Sequence, residues 1–378
     1  MSGFGLYIHW PFCAAKCPYC DFNSHVREQR DEKGWLTSVL REMAHLAVLQ
    51  GERPVVETVF FGGGTPSLMS GGSTGRIIEA AAKLWPFAAD VEITLEANPA
   101  SAEAARFADY RAAGVNRLSL GLQALNDSDL KFLGRLHNLA EAQAALKLAQ
   151  KTFNRVSLDL IYARPGQTIE AWRRELTEAL AFGTEHLSLY QLTIEPQTPF
   201  AGLHKKGVFH IPEDDLAASL YEATQELTAA AGLPAYEVSN HARPGCEARH
   251  NLLYWRYGDY AGVGPGAHGR LVLGGKRMAT VCERRPERWQ EKVLSEGHGF
   301  AEMNEIAPAE AAREHLLMNL RLVEGLELES YRARWGMAPD AGRIADLAAQ
   351  GLLRAEGRRI GATPRGMLLL NAVIAALV

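Results

Sequence analysis

The chain has 378 residues, a net charge of −4, and 47% hydrophobic against 22% charged residues. That is the balance of a folded protein with a sizeable core, and it excludes a disordered chain or a basic nucleic-acid reader. Five cysteines are too few for a secreted disulfide framework and fit a reducing cytoplasm; no basic segment leading into an apolar run marks a signal peptide.

Short apolar runs recur roughly every thirty residues, at Leu6–Phe12, Thr58–Phe61, Val91–Ala97, Arg117–Gln123, Arg155–Tyr162 and His186–Ile194. Helix-forming stretches lie between them, among them Glu103–Ala113, Leu139–Lys151 and Glu170–Phe182. Strands alternating with helices at this spacing predict βαβ units and a parallel sheet. Six units are too few to close an eight-fold barrel, so the expected fold is α/β, a partial (β/α)6 barrel with its chemistry at the C-terminal ends of the strands. Pro196–Pro212 reads as a linker, which gives a barrel domain over 1–200 and a C-terminal mixed α/β domain over 201–378.

In the second region Asp214–Ala231 reads as an amphipathic helix, Tyr236–Ser239 as a strand, and the Gly- and aromatic-rich Tyr254–Gly269 as loop. From Pro308 the pattern is helix, a hairpin at Leu352–Ala362, then helix, a winged-helix-like ending without a basic face and therefore read as packing. The apolar terminus Met367–Val378 is well short of the ~20 residues a membrane helix needs and reads as a buried helix.

The densest chemical signal is Cys13, Cys17 and Cys20, spaced C-x3-C-x2-C directly after the first predicted strand. An odd trio cannot all pair as disulfides. Three thiolates can hold a 4Fe-4S cluster with one iron left without a protein ligand, an open position where a small molecule can bind. A zinc site would need a fourth ligand, which His9 or His25 would have to supply. Cys246 and Cys282, far along the chain, read as ordinary buried cysteines. Gly262–Gly269 is a lone glycine-rich stretch and a weak phosphate motif, lacking the Lys-Ser/Thr ending.

The cysteine spacing resembles the signature of the radical SAM superfamily. The opening Tyr7-Ile8-His9-Trp10-Pro11-Phe12-Cys13, then Phe61-Gly-Gly-Gly-Thr-Pro66, Glu96, Gly121-Leu-Gln123, Arg135 and Asp159–Tyr162 resemble, in order, one branch of it. That branch holds the oxygen-independent coproporphyrinogen III dehydrogenases, HemN, and their HemW heme chaperone relatives. The resemblance implies that the open iron is chelated by S-adenosylmethionine. It implies further that Gly64 and Thr65 contact the methionine part and that Arg135 pairs with the carboxylate. Glu96, Gln123 and Asp159 would accept from ribose hydroxyls and the α-ammonium, Tyr7 and Tyr19 would wall the adenosine or shield the cluster, and Thr193 would line the pocket.

Two departures favour the chaperone relatives. Phe22 stands where the dehydrogenase has a further cysteine, and the chain reaches Tyr7 without the N-terminal segment of that enzyme. His250-Asn251-Leu-Leu-Tyr254-Trp255 resembles a heme-chaperone motif, in which His250 would ligate heme iron and the aromatic rings would face the macrocycle, with Cys246 and His268 as competing ligands. The implied function is a cytoplasmic heme chaperone that delivers heme to apo-proteins such as respiratory enzymes, membrane-associated ones included. The alternative is the dehydrogenase, which converts propionates to vinyl groups by radical oxidative decarboxylation. A third departure, Ala163-Arg164 in place of the Gly-Leu common in relatives, adds a charge near the expected pocket.

Overall fold

A computed structural model describes residues 3–378. The chain opens with β1 (Phe4–Trp10), followed by a loop carrying the short strands β2 (Phe12–Cys13) and β3 (His25–Val26). Next come β4 (Val56–Gly63), β5 (Phe87–Ala97), β6 (Arg117–Gln123), β7 (Arg155–Tyr162) and β8 (His186–Gln191), with helices in every connection. All six expected strands are present, and β1, β4, β5, β6, β7 and β8 lie side by side and parallel in that order.

Two facts about side-chain alternation explain the shape. The outward residues of β6 and β7 (Leu118, Leu120, Val156, Leu158, Leu160) are fully buried under the helices. The inward ones are polar: Arg117 and Ser119 on β6, Ser157 and Asp159 on β7, His186 and Ser188 on β8. A parallel strand covered on both faces usually reads as unbroken apolar sequence. The period-two alternation here marks a sheet curled around a polar interior.

Beyond β8 the sequence reading needs correction. The expected linker Pro196–Pro212 contains a helix, Pro199–Lys205, with Pro199 at its first turn and the Thr198 side chain as its N-cap. Tyr236–Ser239 forms only an isolated bridge at Glu237, and the strand lies just after it, as β9 (Asn240–Ala242), antiparallel to β8. The stretch read as loop contains β10 (Asp259–Val263), which pairs in parallel with β1 on the side away from β4. Its neighbours β11 (His268–Leu273), β12 (Lys276–Cys282) and β13 (Phe300–Glu305) continue the sheet antiparallel, making eleven strands. The main core accordingly runs from Phe4 to Phe300, across the position proposed as a domain boundary.

A second core, centred on Leu316, Leu326, Leu353, Ile360 and Val373, belongs to the C-terminal segment. There β14 (Leu326–Glu327), β15 (Leu353–Glu356) and β16 (Arg359–Ala362) form a small sheet with the expected hairpin, and the terminal helix Leu370–Leu377 buries Val373, Ile374 and Leu377 in the same core. Among the described residues no helix is long and apolar enough to cross a membrane.

The Ala163-Arg164 departure has a structural role. Ala163 sits at φ 56°, in the left-handed region that glycine adopts without strain. Arg164, only 2% exposed, turns away from the barrel interior, pairs with Asp129 at 2.9 Å and with Glu175, and donates to the Ile161 carbonyl at 2.8 Å. It fastens the loop after β7 to the helix Ile169–Ala181. Arg164→Ala leaves Glu175, whose side chain is 9% exposed, without its cation and is expected to lower unfolding free energy by about 3 kcal/mol, read by urea denaturation.

Candidate functional site

The C-terminal ends of β4 to β8 and the loop after β1 enclose a cavity of about 500 Å³. Cys13, Cys17 and Cys20 line it, together with Tyr19, Gly64, Thr65, Glu96, Gln123, Arg135, Asp159 and Thr193. Residues spread over 180 positions of sequence are thus gathered at one mouth. Of the residues expected around the cluster and nucleoside, Tyr7 alone does not line it. Its ring lies deeper, stacked on Phe60, with its hydroxyl 3.0 Å from His9 Nδ1.

Local backbone chemistry builds the mouth. After β4 the glycine turn docks on the cysteine loop: the Gly64 amide donates to the Trp10 carbonyl at 2.7 Å, and the Thr65 amide to the Phe12 carbonyl at 2.9 Å. A methyl group on Gly64 would stand 2.7 Å from the Phe12 carbonyl oxygen and 3.1 Å from Cys13 Sγ, so only glycine permits this approach. The Thr65 hydroxyl lies 3.4 Å from Cys13 Sγ. On the opposite wall Arg135 donates to the Gly121 carbonyl at 3.0 Å, reaches Asn98 Oδ1, and holds a nitrogen 3.6 Å from Cys17 Sγ.

Gln123 has φ 74° at a bulge in the β6–β7 pairing. The extra residue re-aims its side chain into the cavity. Asn98, Ser119 and Tyr190 also line the cavity, and sequence reading missed them. Asn98 lies two residues beyond Glu96, and Ser119 two beyond Arg117, so period-two continuation along β5 and β6 would have found both. Tyr190 lies deep in the barrel yet is 44% exposed, because it borders the open space.

Electrostatically the floor is poised for a cation. Burial, and then repulsion from Asp159, push the Glu96 carboxyl up to about 8. Burial also raises Asp159, against which both Ser188 and Ser119 act; the Ser119 hydroxyl lies 3.1 and 3.2 Å from its two oxygens. Arg117, 3% exposed behind them, lowers both carboxyls. A positive group placed between Glu96 and Asp159 would relieve the repulsion and desolvation together.

Near the wall, burial raises the Cys13 and Cys20 thiols, so loading a metal here must release protons. Three thiols around a cavity mouth, with a side-chain-free turn against them and an arginine at their edge, suit a cluster and a polar ligand on its open side. Among the described residues no three His, Cys, Asp or Glu side chains converge on a single-ion position.

His250, Asn251, Tyr254 and Trp255, the residues expected to contact heme, do not line this cavity. They lie on the helix Arg249–Trp255, which packs at the N-terminal ends of the barrel strands, opposite the mouth. His250 is 6% exposed, its Nδ1 is 2.8 Å from Thr58 Oγ1, its ring stacks on Phe60 at 5.0 Å, and its amide donates to Glu92. Asn251 donates to the Tyr236 hydroxyl, Tyr254 packs on Tyr260, and Arg321 covers Trp255 at 4.8 Å. His250 Nδ1, the Asn251 amide and the rings of Tyr254 and Trp255 thus each have a partner within the protein, as polar and aromatic groups at a packed surface ordinarily do. Replacing His250 by alanine opens a cavity under Tyr7 and Phe60, and thermal or urea unfolding should show a loss of about 2–4 kcal/mol.

A partial parallel barrel with three cysteines after its first strand and a glycine turn against them defines a radical SAM fold. Residues 7–179 match the radical SAM superfamily, and residues 306–369 the HemN C-terminal domain. The chain belongs to the HemN/HemW group of the radical SAM superfamily. It is 38% identical to heme chaperone HemW of Escherichia coli, over 98% of this chain and 96% of that one. It is also 38% identical to the mitochondrial radical S-adenosyl methionine domain-containing protein 1 of Bos taurus, over 98% of this chain and 86% of that one. The solved structure of coproporphyrinogen III oxidase, HemN, from Escherichia coli superposes with a TM-score of 0.83 at 23% identity, covering 100% of this chain and 90% of that chain. That likeness shows the shared fold.

Proposed function

We propose that the protein is a heme chaperone built on a radical SAM scaffold. Cys13, Cys17 and Cys20 would hold a 4Fe-4S cluster. Gly64, Thr65 and Arg135 would hold the methionine part of S-adenosylmethionine, and Glu96, Gln123, Asp159, Tyr19 and Thr193 the rest. The bound cluster supplies one-electron reducing power toward a sulfonium. The chain's own contribution is to exclude water with the glycine turn, to set Arg135 against a carboxylate and to set Glu96 against an ammonium. The cargo would be heme, passed to apo-proteins such as respiratory enzymes, inside the cell.

One observation carries this reading: near-complete coverage at 38% identity to a protein named a heme chaperone. Phe22 supports it, standing 60% exposed at the cavity mouth where the dehydrogenase has a further cysteine. The test is a heme titration of anaerobically reconstituted protein beside an assay with coproporphyrinogen III and S-adenosylmethionine. A Soret band saturating near one heme per chain, without turnover of the porphyrinogen, is the expected result. Catalytic formation of protoporphyrinogen would overturn it in favour of the dehydrogenase.

A further inference from the structure

The glycine stretch Gly262–Gly269, which has no phosphate-binding context in the fold, packs directly on the cysteine loop. We infer that this turn is a clamp, and that Asn23 is the residue through which the C-terminal half positions the three cysteines. The inference deepens the cluster reading and rests on it for its consequence, though not for its geometry.

Asn23 lies three residues after Cys20. Its side-chain amide donates to the Pro265 carbonyl at 2.8 Å and to the Arg284 carbonyl at 2.9 Å. Its own carbonyl is 2.9 Å from Nε2 of His9, on β1. The same short segment makes two more links to the C-terminal half: His25 Nε2 to the Arg284 carbonyl at 3.3 Å, and Arg27 to Glu287 at 2.9 Å.

The turn itself is held from behind. Glu42, fully buried on the helix Glu32–Gln50, accepts from the Gly264 amide at 2.8 Å, from the Gly299 amide at 2.7 Å and from Trp289 Nε1 at 3.1 Å. Two glycines of the turn leave no room for a side chain. At Gly264, φ 106°, a methyl would come 2.5 Å from the His9 carbonyl oxygen, and at Gly266, φ 76°, it would collide with the Asn23 amide nitrogen. A buried carboxylate, a glycine turn and one asparagine therefore form a continuous path from the first long helix to the cysteine loop.

The test uses the full chain with Asn23→Ala and Gly266→Ala, which open the clamp from opposite sides. In the apo protein, alkylation of the three cysteines should accelerate about tenfold in either variant, the scale of losing one part-buried and one exposed hydrogen bond. After reconstitution, iron release to a chelator should accelerate similarly, and the EPR g-values of the reduced cluster should move. Hydrogen exchange of the wild-type chain gives a check that needs no variant: amides of 20–26 should exchange in step with those of 262–268. Unchanged thiol reactivity and iron release in both variants, or exchange of the two segments at unrelated rates, would overturn the clamp. Altered thiol reactivity in a protein that never takes up iron would keep the clamp and remove the cluster reading.

Discussion

Cys17→Ala is expected to abolish the bound cluster. Iron and acid-labile sulfide should fall from about four per chain to background after identical anaerobic reconstitution, since two thiolates are too few to hold the cube. Cys17 is the informative member of the trio. It is partly exposed at the mouth and its sulfur faces Arg135, so its loss opens no core cavity. The apo variant should therefore melt close to wild type, which separates loss of ligation from loss of fold. Binding of S-adenosylmethionine should fall with the iron, leaving only the contacts of the polar wall. Full iron retention in this variant would show that the three cysteines are not its ligands.

Glu96→Gln is expected to weaken S-adenosylmethionine binding by about ten- to a hundredfold, the scale of a hydrogen bond to a charged partner. It should also stabilise the empty protein at alkaline pH. The sign follows from linkage. The Glu96 carboxyl titrates near its usual 4.5 in the unfolded chain and at about 8 in the fold. Its neutral form is the one the empty fold favours, so its contribution is fully present below the unfolded value and is lost as pH rises through the folded one. Between these limits the wild-type apo protein should lose stability that the glutamine variant retains. Added S-adenosylmethionine should reverse the order, because its ammonium compensates the charge that burial penalises. Isothermal titration, with melting curves at pH 5 and pH 9, measures both halves. Equal affinity in the two proteins would remove Glu96 from the ligand site.

The parts of the fold legible in sequence were those set by local pattern. β5 to β8 alternate apolar and polar residues cleanly, because one face meets helices and the other meets the cavity. The cysteine spacing identified its loop for the same reason: all three ligand candidates lie within eight residues.

Long-range pairing was not legible. β10 carries Gly262 among aromatic residues and lacks the look of a strand, yet β1 accepts it as a parallel neighbour because Leu6 opposite Ala261 and Ile8 opposite Val263 are buried together. The linker reading failed where Pro199 opened a helix instead of breaking one. The placement of His250 is a further long-range effect. A histidine beside tyrosine and tryptophan has the chemistry of a heme ligand, but which face of a short helix turns inward is decided by Thr58 and Phe60, nearly two hundred residues earlier. The glycine turn at 262–269 was undervalued because its partner, Asn23, is more than two hundred residues away.

One open coordination site beside the Glu96–Asp159 floor is what joins cluster and ligand in the proposed function. Its most direct test is EPR of the reduced, anaerobically reconstituted protein with and without S-adenosylmethionine. The expected result is the signal of a single reduced 4Fe-4S cluster whose g-values shift on adding the ligand and return when it is removed. A protein that takes up zinc in place of iron, or a cluster signal that the ligand leaves unchanged, would contradict it.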